Sequence, residues 1–392
     1  MGVIADIETP ALILDRAKLE ANIARMRDRL AGLGVGLRPH VKTAKSIDVV
    51  RPVLVGQPGG ITVSSVDEAV YFSQHGVNDI LYAVGVAPSK LPRLIELSRQ
   101  GTDISVVLDN SDAANACNRA ACAAGVQLPF LIELDVDGHR SGITPESPAL
   151  LNLAAAVQDM PGVRLKGVMT HAGESYNCRS EPELVAMAEQ ERSGAVLAAE
   201  RLRRAGYECP IVSIGSTPTA LFANRFDGIT EVRAGVYMFM DLVMAGLGVC
   251  DISDIALGVV VSVIGHQPEK NLVIADGGWM ALSRDRGTAN QPIDQGYGLV
   301  CDVLGIPFTS DLIVIATNQE HAIIARRDKG PVDPLRFPVG TLLRILPNHA
   351  CATGAQHGAY HVVNGANPNV EHVWARIAGS SSVHQVTHTH TI

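Results

Sequence analysis

Ile104 to Val136 reads ISVVLDNSDAANACNRAACAAGVQLPFLIELDV. Two short apolar runs, ISVVLD from Ile104 and PFLIELDV from Pro129, flank a longer stretch of helical character. Apolar runs of that length, separated by a helix, form parallel βαβ units. The same alternation continues outward in both directions. Upstream lie Ala11 to Leu14, GLRPHVKT at 36–43, GITVSS from Gly60 and DILYAV from Asp79. Downstream lie RLKGVMTHA from Arg164 and PIVSIGS from Pro210. Asp15 caps a periodic helix with Leu19, Ile23, Met26 and Leu30 on one face. A second clear helix spans Pro182 to Arg204, with Leu184, Met187, Val196 and Leu197 among charged residues. Eight such strands with helices between them cover roughly 230 residues, close to the usual size of a (β/α)8 barrel. An open doubly wound sheet is the alternative. Against it, the Gly-x-Gly cluster from Gly32 to Gly36 ends a helix, where a dinucleotide loop would begin one.

The texture changes after residue 245. ALGVVVSVIGHQ, NLVIADGG, DLIVIATN and TLLRILPN are β-rich and separated by Gly, Asp and Pro turns. The expected organisation is an α/β barrel over 10–245 and a smaller C-terminal β domain over 246–378, to which residues 1–9 are a candidate addition. The tail after Ala378 is polar. Its three histidines, His384, His388 and His390, are read as solvated.

Composition narrows the function. A chain of 392 residues with 47% hydrophobic residues can bury a large core. Charged residues are 18% and the net charge is −8, which argues against nucleic-acid partners. No apolar stretch approaches the ~20 residues that span a bilayer. The N-terminus lacks the basic start and apolar run of a signal peptide. Seven cysteines without framework spacing fit a reducing, cytoplasmic setting.

In such barrels the chemistry sits at the C-terminal ends of the strands. Read in that order, these ends carry His40 and Lys42, then Tyr82, Arg140, His171 with Tyr176, Ser216 with Thr217, and Gly235 with Tyr237. A lysine beside His and Arg is a candidate Schiff-base former, because neighbouring cations lower its pKa. A snorkelling surface lysine is an equal reading of Lys42 taken alone. Lys45, three residues on, is read as solvated. The Gly215-Ser216-Thr217 turn offers backbone N–H groups and hydroxyls to a phosphate, or it is simply a helix cap. Lysine and phosphate cradle together point to pyridoxal phosphate. In Pro347-Asn348-His349-Ala350-Cys351, a strand conformation would put His349 and Cys351 on one side, suited to Zn2+ or Mn2+. Two such residues alone are more often an unrelated His and a buried Cys.

Four motifs, taken in order, resemble one family. They are Arg38-Pro39-His40-Val41-Lys42-Thr43, Gly138-His139-Arg140-Ser141-Gly142, Gly215-Ser216-Thr217-Pro218-Thr219 and Pro347-Asn348-His349-Ala350-Cys351. The chain resembles the D-threonine aldolase / D-serine dehydratase family over nearly its whole length. The resemblance implies a fold-type-III pyridoxal-phosphate enzyme, with an alanine-racemase-like barrel, a C-terminal β domain and a homodimeric assembly. It implies that Lys42 carries the cofactor and then serves as base, that Arg140 faces the pyridine nitrogen, and that His171 packs on the ring. Ser216, Thr217, Gly235 and Tyr237 would hold the phosphate, His40 and Tyr82 would complete the cofactor site, and His349 and Cys351 would hold a divalent metal. In the family's aldolases a second histidine is expected shortly after the ring-stacking residue. His171 to Asn177 contains none, only Tyr176. That favours a dehydratase releasing ammonia and a 2-oxo acid from a D-3-hydroxy amino acid, with 3-hydroxyaspartate giving oxaloacetate. D-serine dehydration, retro-aldol cleavage and a non-catalytic pyridoxal-phosphate-binding protein are the alternatives. A substrate β-carboxylate would need a cation, for which Arg284 and Arg286 are candidates. Ion pairing of these two with local acids is an equal reading.

Overall fold

The computed structural model describes residues 2–57 and 59–377; the three tail histidines lie outside the described residues. In chain order the strands are β1 (Ala11–Asp15), β2 (Gly36–Pro39), β3 (Ile61–Val63), β4 (Asp79–Tyr82), β5 (Asp103–Leu108), β6 (Leu128–Leu134), β7 (Val163–Thr170), β8 (Ile211–Ile214) and β9 (Glu231–Ala234). Then come β10 (Leu257–Gln267), β11 (Leu272–Ala275), β12 (Leu299–Cys301), β13 (Leu312–Thr317), β14 (Ala322–Arg326), β15 (Leu342–Leu346), β16 (Ala359–Asn364) and β17 (Asn367–Ala375).

Strands β2 to β9 form one parallel sheet in the order β2-β9-β8-β7-β6-β5-β4-β3. A parallel bridge between His40 and Thr62 joins the two outer strands, with Val41 N–H donating to Thr62 O at 2.9 Å. The sheet is thus an eight-stranded barrel that closes at the residues flanking Lys42. Part of its interior is apolar, built from Leu81, Val107, Leu131 and Met169. Another part is polar. Arg38 donates to Glu231 and Asp79, Ser213 donates to Glu231, and Arg233 donates to Ser213.

The helices cover the barrel's outer face. Arg16–Gly32 forms because Asp15 accepts from the N–H groups of Ala17 and Lys18, at 3.1 and 3.3 Å. Its Leu19, Ile23, Met26 and Leu30 recur every three or four residues and are all buried. Truncating any one to Ala would cost about 2–5 kcal/mol. No helix among the described residues is long and apolar enough to cross a membrane.

The second sheet has nine strands in the order β11-β14-β13-β12-β15-β10-β1-β16-β17. Its pairings are antiparallel except that of β1 with β16. Here the sequence reading needs correction. Ala11–Asp15, expected as the first barrel strand, lies centrally in this sheet between β10 and β16. Its five residues are all buried, and a continuously apolar strand looks the same in either sheet. The eighth barrel strand is instead Glu231–Ala234. On that ground we propose that the barrel domain runs over 16–245, and that residues 2–15 join the β domain. Strand pairing of the 36–43 stretch also ends early, with Val41 to Ala44 forming a turn.

Candidate active site

The C-terminal ends of the barrel strands open into a cavity of about 670 Å3. His40, Lys42, Arg140, His171, Tyr176, Ser216, Thr217 and Gly235 line its barrel side, and Asp285, His349 and Cys351 line the side of the β domain. Residues far apart in the chain thus share one space, of a size that suits a cofactor with its substrate.

Lys42 sits in the turn after β2 and is exposed to the cavity. Lys45 does not line it. Its Nζ lies 3.5 Å from buried Glu68, so Lys45 is paired, contrary to the solvated position expected. His40 Nε2 is 3.3 Å from Ser64 Oγ. Removal from water, with the charges of Lys42 and Arg233 adding to it, keeps the His40 imidazole neutral, well below its ordinary pKa.

His171 Nδ1 lies 2.9 Å from the Gly215 carbonyl. A carbonyl only accepts, so the ring proton is on Nδ1 and Nε2 is left as an acceptor. Burial pushes the His171 pKa down to about 3; the bond to Gly215 opposes this, and Lys42 and Arg140 add to it. A neutral, flat ring therefore faces the cavity. Gly215 has φ +139°, and a Cβ there would collide with the Arg233 carbonyl. The turn can hold its place against β9 only as glycine.

Ser216 caps the helix Thr217–Phe222, accepting from Thr219 N–H at 3.2 Å. Thr217 Oγ1 accepts from Tyr237 N–H at 3.1 Å. Gly235 packs tightly, since a Cβ there would lie 2.7 Å from the His40 carbonyl. Of Tyr237 only the backbone reaches this cradle. Its side chain does not line the cavity, and its hydroxyl is buried without a partner among the described residues.

Tyr82 is misplaced in the sequence reading. It is fully buried in the main core, and its hydroxyl accepts from Lys90 Nζ at 2.9 Å. On β4 it is Leu81 that points into the barrel, and alternation turns Tyr82 outward. Neither Arg284 nor Arg286 lines the cavity. Arg284 lies over the Trp279 ring at 5.0 Å, while Arg286 pairs with Asp294 at 2.6 Å and lies over Tyr297. The ion-pair reading holds for Arg286, whereas Arg284 rests on an aromatic ring. Arg140 does line the cavity, half-exposed, 4.0 Å from Glu133.

His349 and Cys351 are not on a strand. His349 is the N-cap of the short helix Ala350–Gly354, which contains Cys351. Both nevertheless face the cavity. His349 Nδ1 is 2.9 Å from Asp285 Oδ2, which leaves Nε2 for a ligand. Cys351 Sγ is 3.1 Å from Thr43 Oγ1. Burial resists the charged forms here. Asp285 and the thiolate nonetheless push the His349 pKa up to about 11, and His349 holds the Cys351 thiol below its ordinary range. Among the described residues no group of three His, Cys, Asp or Glu side chains forms a closed metal site. A divalent ion on this pair would keep open positions. Burial raises the Tyr176 phenol far above its ordinary pKa, so it stays protonated near neutral pH and is no base there, though its O–H can still offer a hydrogen bond.

Several positions that shape the cavity lie outside the motifs read from sequence. Asp241 is buried, lines the cavity and accepts from Ala350 N–H at 3.0 Å, fixing the helix that carries Cys351. Glu191, from the helix Glu181–Arg204, accepts from Ala172 and Gly215 N–H at 3.0 and 2.9 Å. One buried carboxylate thus ties the His171 loop to the phosphate-type turn. Arg233 is a buried cation in the cavity floor. Asp285 and Asp241 lie 64 and 109 residues from His349 and Ala350, and nothing in their immediate neighbours signals those contacts.

A parallel barrel with a lysine at its mouth, joined to a β domain, is an architecture of the alanine-racemase type. Comparison with known proteins agrees. Residues 14–243 match the model "Alanine racemase, N-terminal domain", and residues 256–363 match "Putative serine dehydratase domain". The chain is 50% identical over 376 residues to the D-threo-3-hydroxyaspartate dehydratase of Delftia sp. (strain HT23), covering 95% of this chain and 98% of that one. It is 30% identical to a D-threonine aldolase of Arthrobacter sp, covering 95% and 92%. The solved structure of the Delftia dehydratase superposes with a TM-score of 0.93 at 48% identity, over 97% of this chain and 100% of that one. That enzyme has also been solved as a cysteine-to-alanine variant in the metal-free form and as a histidine-to-alanine variant. The chain belongs to the D-threonine aldolase / D-serine dehydratase family of lyases.

Proposed function

We propose that this chain is a pyridoxal-phosphate- and divalent-metal-dependent dehydratase. It converts D-threo-3-hydroxyaspartate, or a closely similar D-3-hydroxy amino acid, to a 2-oxo acid and ammonia. The observation that carries this reading is that Lys42 and the His349–Cys351 pair line one cavity, linked by the 3.1 Å contact between Thr43 Oγ1 and Cys351 Sγ.

The residues present fit both groups. Lys42 would hold the cofactor, with Ser216, Thr217, Gly235 and the Tyr237 N–H around its phosphate. His171 would lie against the ring and Arg140 at the ring nitrogen, where an arginine cannot give up its proton. His349 through Nε2, with the Cys351 thiolate, would hold Zn2+ or Mn2+. In the Delftia enzyme's variants the two substituted positions are a histidine and, two residues on, a cysteine, the spacing of His349 and Cys351. When bound, pyridoxal phosphate supplies an electron sink for charge developing at Cα, and the metal supplies a Lewis acid for the β-hydroxyl.

The chain does the rest. Lys42 reaches the cavity from one side, so its amine takes the proton from one configuration at Cα. Neutral His171 offers the ring a flat wall without competing for that proton. Tyr176 stays protonated and can offer a hydrogen bond to the β-oxygen. Retro-aldol cleavage needs instead a base for the β-hydroxyl, and the raised phenol is unsuited to that. One observation favours the aldolase reading. His139 lines the cavity, with Nδ1 2.8 Å from Glu174 Oε1, so a histidine absent from the His171 loop stands across from it in space. A screen of ammonia release over D- and L-3-hydroxy amino acids, with and without chelator, tests the proposal. Chelator-sensitive release from D-threo-3-hydroxyaspartate alone supports it; release unaffected by chelator, or equal from L-isomers, sinks it.

We further place the enzyme in the cytoplasm as a homodimer. Its seven cysteines are all free, as a reducing compartment allows. Light scattering that returns a monomer mass would remove the dimer.

A further inference from the structure

The turn that carries Lys42 is held from the far end of the chain. Thr43 and Ala44 are fully buried and lie in neither helix nor strand. Their carbonyls need partners. Arg376, the residue after β17, supplies them. Its Nη2 donates to Thr43 O at 3.2 Å, and its Nε to Ala44 O at 3.3 Å. The third nitrogen, Nη1, donates to His357 O at 3.0 Å. The guanidinium lies over the Tyr360 ring, 5.0 Å from its centre, and the Tyr360 hydroxyl donates to Ala44 O at 2.7 Å. The next residue continues the pattern, with Ile377 N–H donating to Lys45 O at 2.8 Å. Three consecutive carbonyls after Lys42 are therefore all held by β-domain residues.

The same guanidinium lies against the helix that carries Cys351. A Cβ at Gly354 would stand 3.0 Å from Arg376 Nη2. Thr43 completes the connection through its contact with Cys351 Sγ. Arg376 is only 7% exposed, and it meets backbone carbonyls at all three of its nitrogen positions. A lysine could not reproduce that fork.

We infer that Arg376 is a positioning residue that sets Lys42 and Cys351 relative to each other by clamping the turn between them. The inference rests on the reading that Lys42 anchors the cofactor and Cys351 the metal. An arginine that merely stabilised the fold would lower the melting temperature and leave both centres unchanged.

The test uses the holoenzyme with Arg376→Lys, Arg376→Met and Tyr360→Phe. It reads kcat and KM on D-threo-3-hydroxyaspartate, Co2+ affinity by chelator competition, amide exchange over 41–45, and the rate of borohydride fixation of the cofactor on Lys42. Both Arg376 variants should lose about tenfold or more in kcat and in Co2+ affinity, in line with other partners that orient ligands. KM should move less than about threefold, as expected when positioning and not binding is lost. Exchange over 41–45 should quicken and borohydride fixation should slow. Arg376→Lys should resemble Arg376→Met, since charge without the fork is not enough. Lower melting with kcat, affinity, exchange and fixation all within about twofold of wild type would overturn the inference. If the Arg376 variants do not fold, Tyr360→Phe decides. Loss of one hydrogen bond to Ala44 should change the same readouts in the same direction by about twofold to tenfold, and no change overturns the clamp. If His349→Ala binds Co2+ as well as wild type, the metal assignment fails separately. Exchange and borohydride fixation then decide the clamp alone, unchanged values overturning it.

Discussion

Replacing Asp285 should weaken metal binding without touching a metal ligand. Asp285 Oδ2 accepts a hydrogen bond from His349 Nδ1–H at 2.9 Å, while Oδ1 accepts from Gly287 N–H at 2.8 Å. The first contact fixes the His349 tautomer and aims Nε2 at the cavity. The hydrogen bond to His349 also keeps the Asp285 carboxyl below its usual range, so it is charged and raises the basicity of the imidazole. Loss of such a carboxylate partner typically costs about 10–100-fold in metal affinity, or roughly 1.4–2.7 kcal/mol. The two substitutions should separate within that range. Asp285→Asn keeps an oxygen for Nδ1 or for Gly287 but loses the charge, and should fall near the tenfold end. Asp285→Ala leaves two donors without their partner and should approach a hundredfold. Competition between the protein and a chromophoric chelator for Zn2+ or Co2+ measures both. Affinities within twofold of wild type in both variants would refute the reasoning, and His349 would then need no orienting partner.

Other outcomes follow from the same geometry. Borohydride should fix the cofactor on Lys42 and not on Lys45, whose Nζ is turned to Glu68 outside the cavity; peptide mapping decides, and Lys42→Ala should abolish turnover. Cys351→Ala should weaken metal binding strongly, and a chelator should stop dehydration while leaving the cofactor's visible spectrum largely in place; full activity of metal-free protein would return Cys351 to a structural role. His171 should make stability depend on pH. Its folded pKa is near 3 against about 6.5 when unfolded, so the unfolded chain takes the proton first. The stabilisation is complete above about pH 6.5 and is lost as pH falls toward 3, by at most about 2 kcal/mol between pH 7 and 5. Urea titrations of wild type and His171→Asn should show the variant losing less over that interval, and equal losses would contradict a neutral buried ring.

The barrel and the motif-bearing strand ends were legible in the sequence because apolar runs and helices alternate at a nearly constant spacing. Which run begins the barrel was not. ALILD at β1 is buried on both faces within the second sheet, and no periodicity separates that from a barrel strand. EVRA at β9 is absent from the eight expected strands for the opposite reason. Its Glu231 and Arg233 belong to a polar network inside the barrel, so the strand lacks an apolar signature. Tyr82 failed on phase. On a strand with both faces buried, composition cannot tell whether Leu81 or Tyr82 points inward. Lys42, His171, His349 and Cys351 could be found because each stands in a distinctive run. Asp285, Glu191 and Arg376 act through contacts that the fold alone creates, across 64 residues in the case of Asp285 and His349.

The central claim is elimination of water from a D-3-hydroxy amino acid at this cavity. Its most direct test is the product balance from D-threo-3-hydroxyaspartate with the metal-loaded holoenzyme. Lys42 as the Cα base, a metal on His349 and Cys351, and a protonated Tyr176 together predict oxaloacetate and ammonia in equal amounts, with no glycine. Accumulation of glycine and glyoxylate would contradict the account and make the β-hydroxyl the site of proton removal, with His139 in the cavity wall as the candidate base.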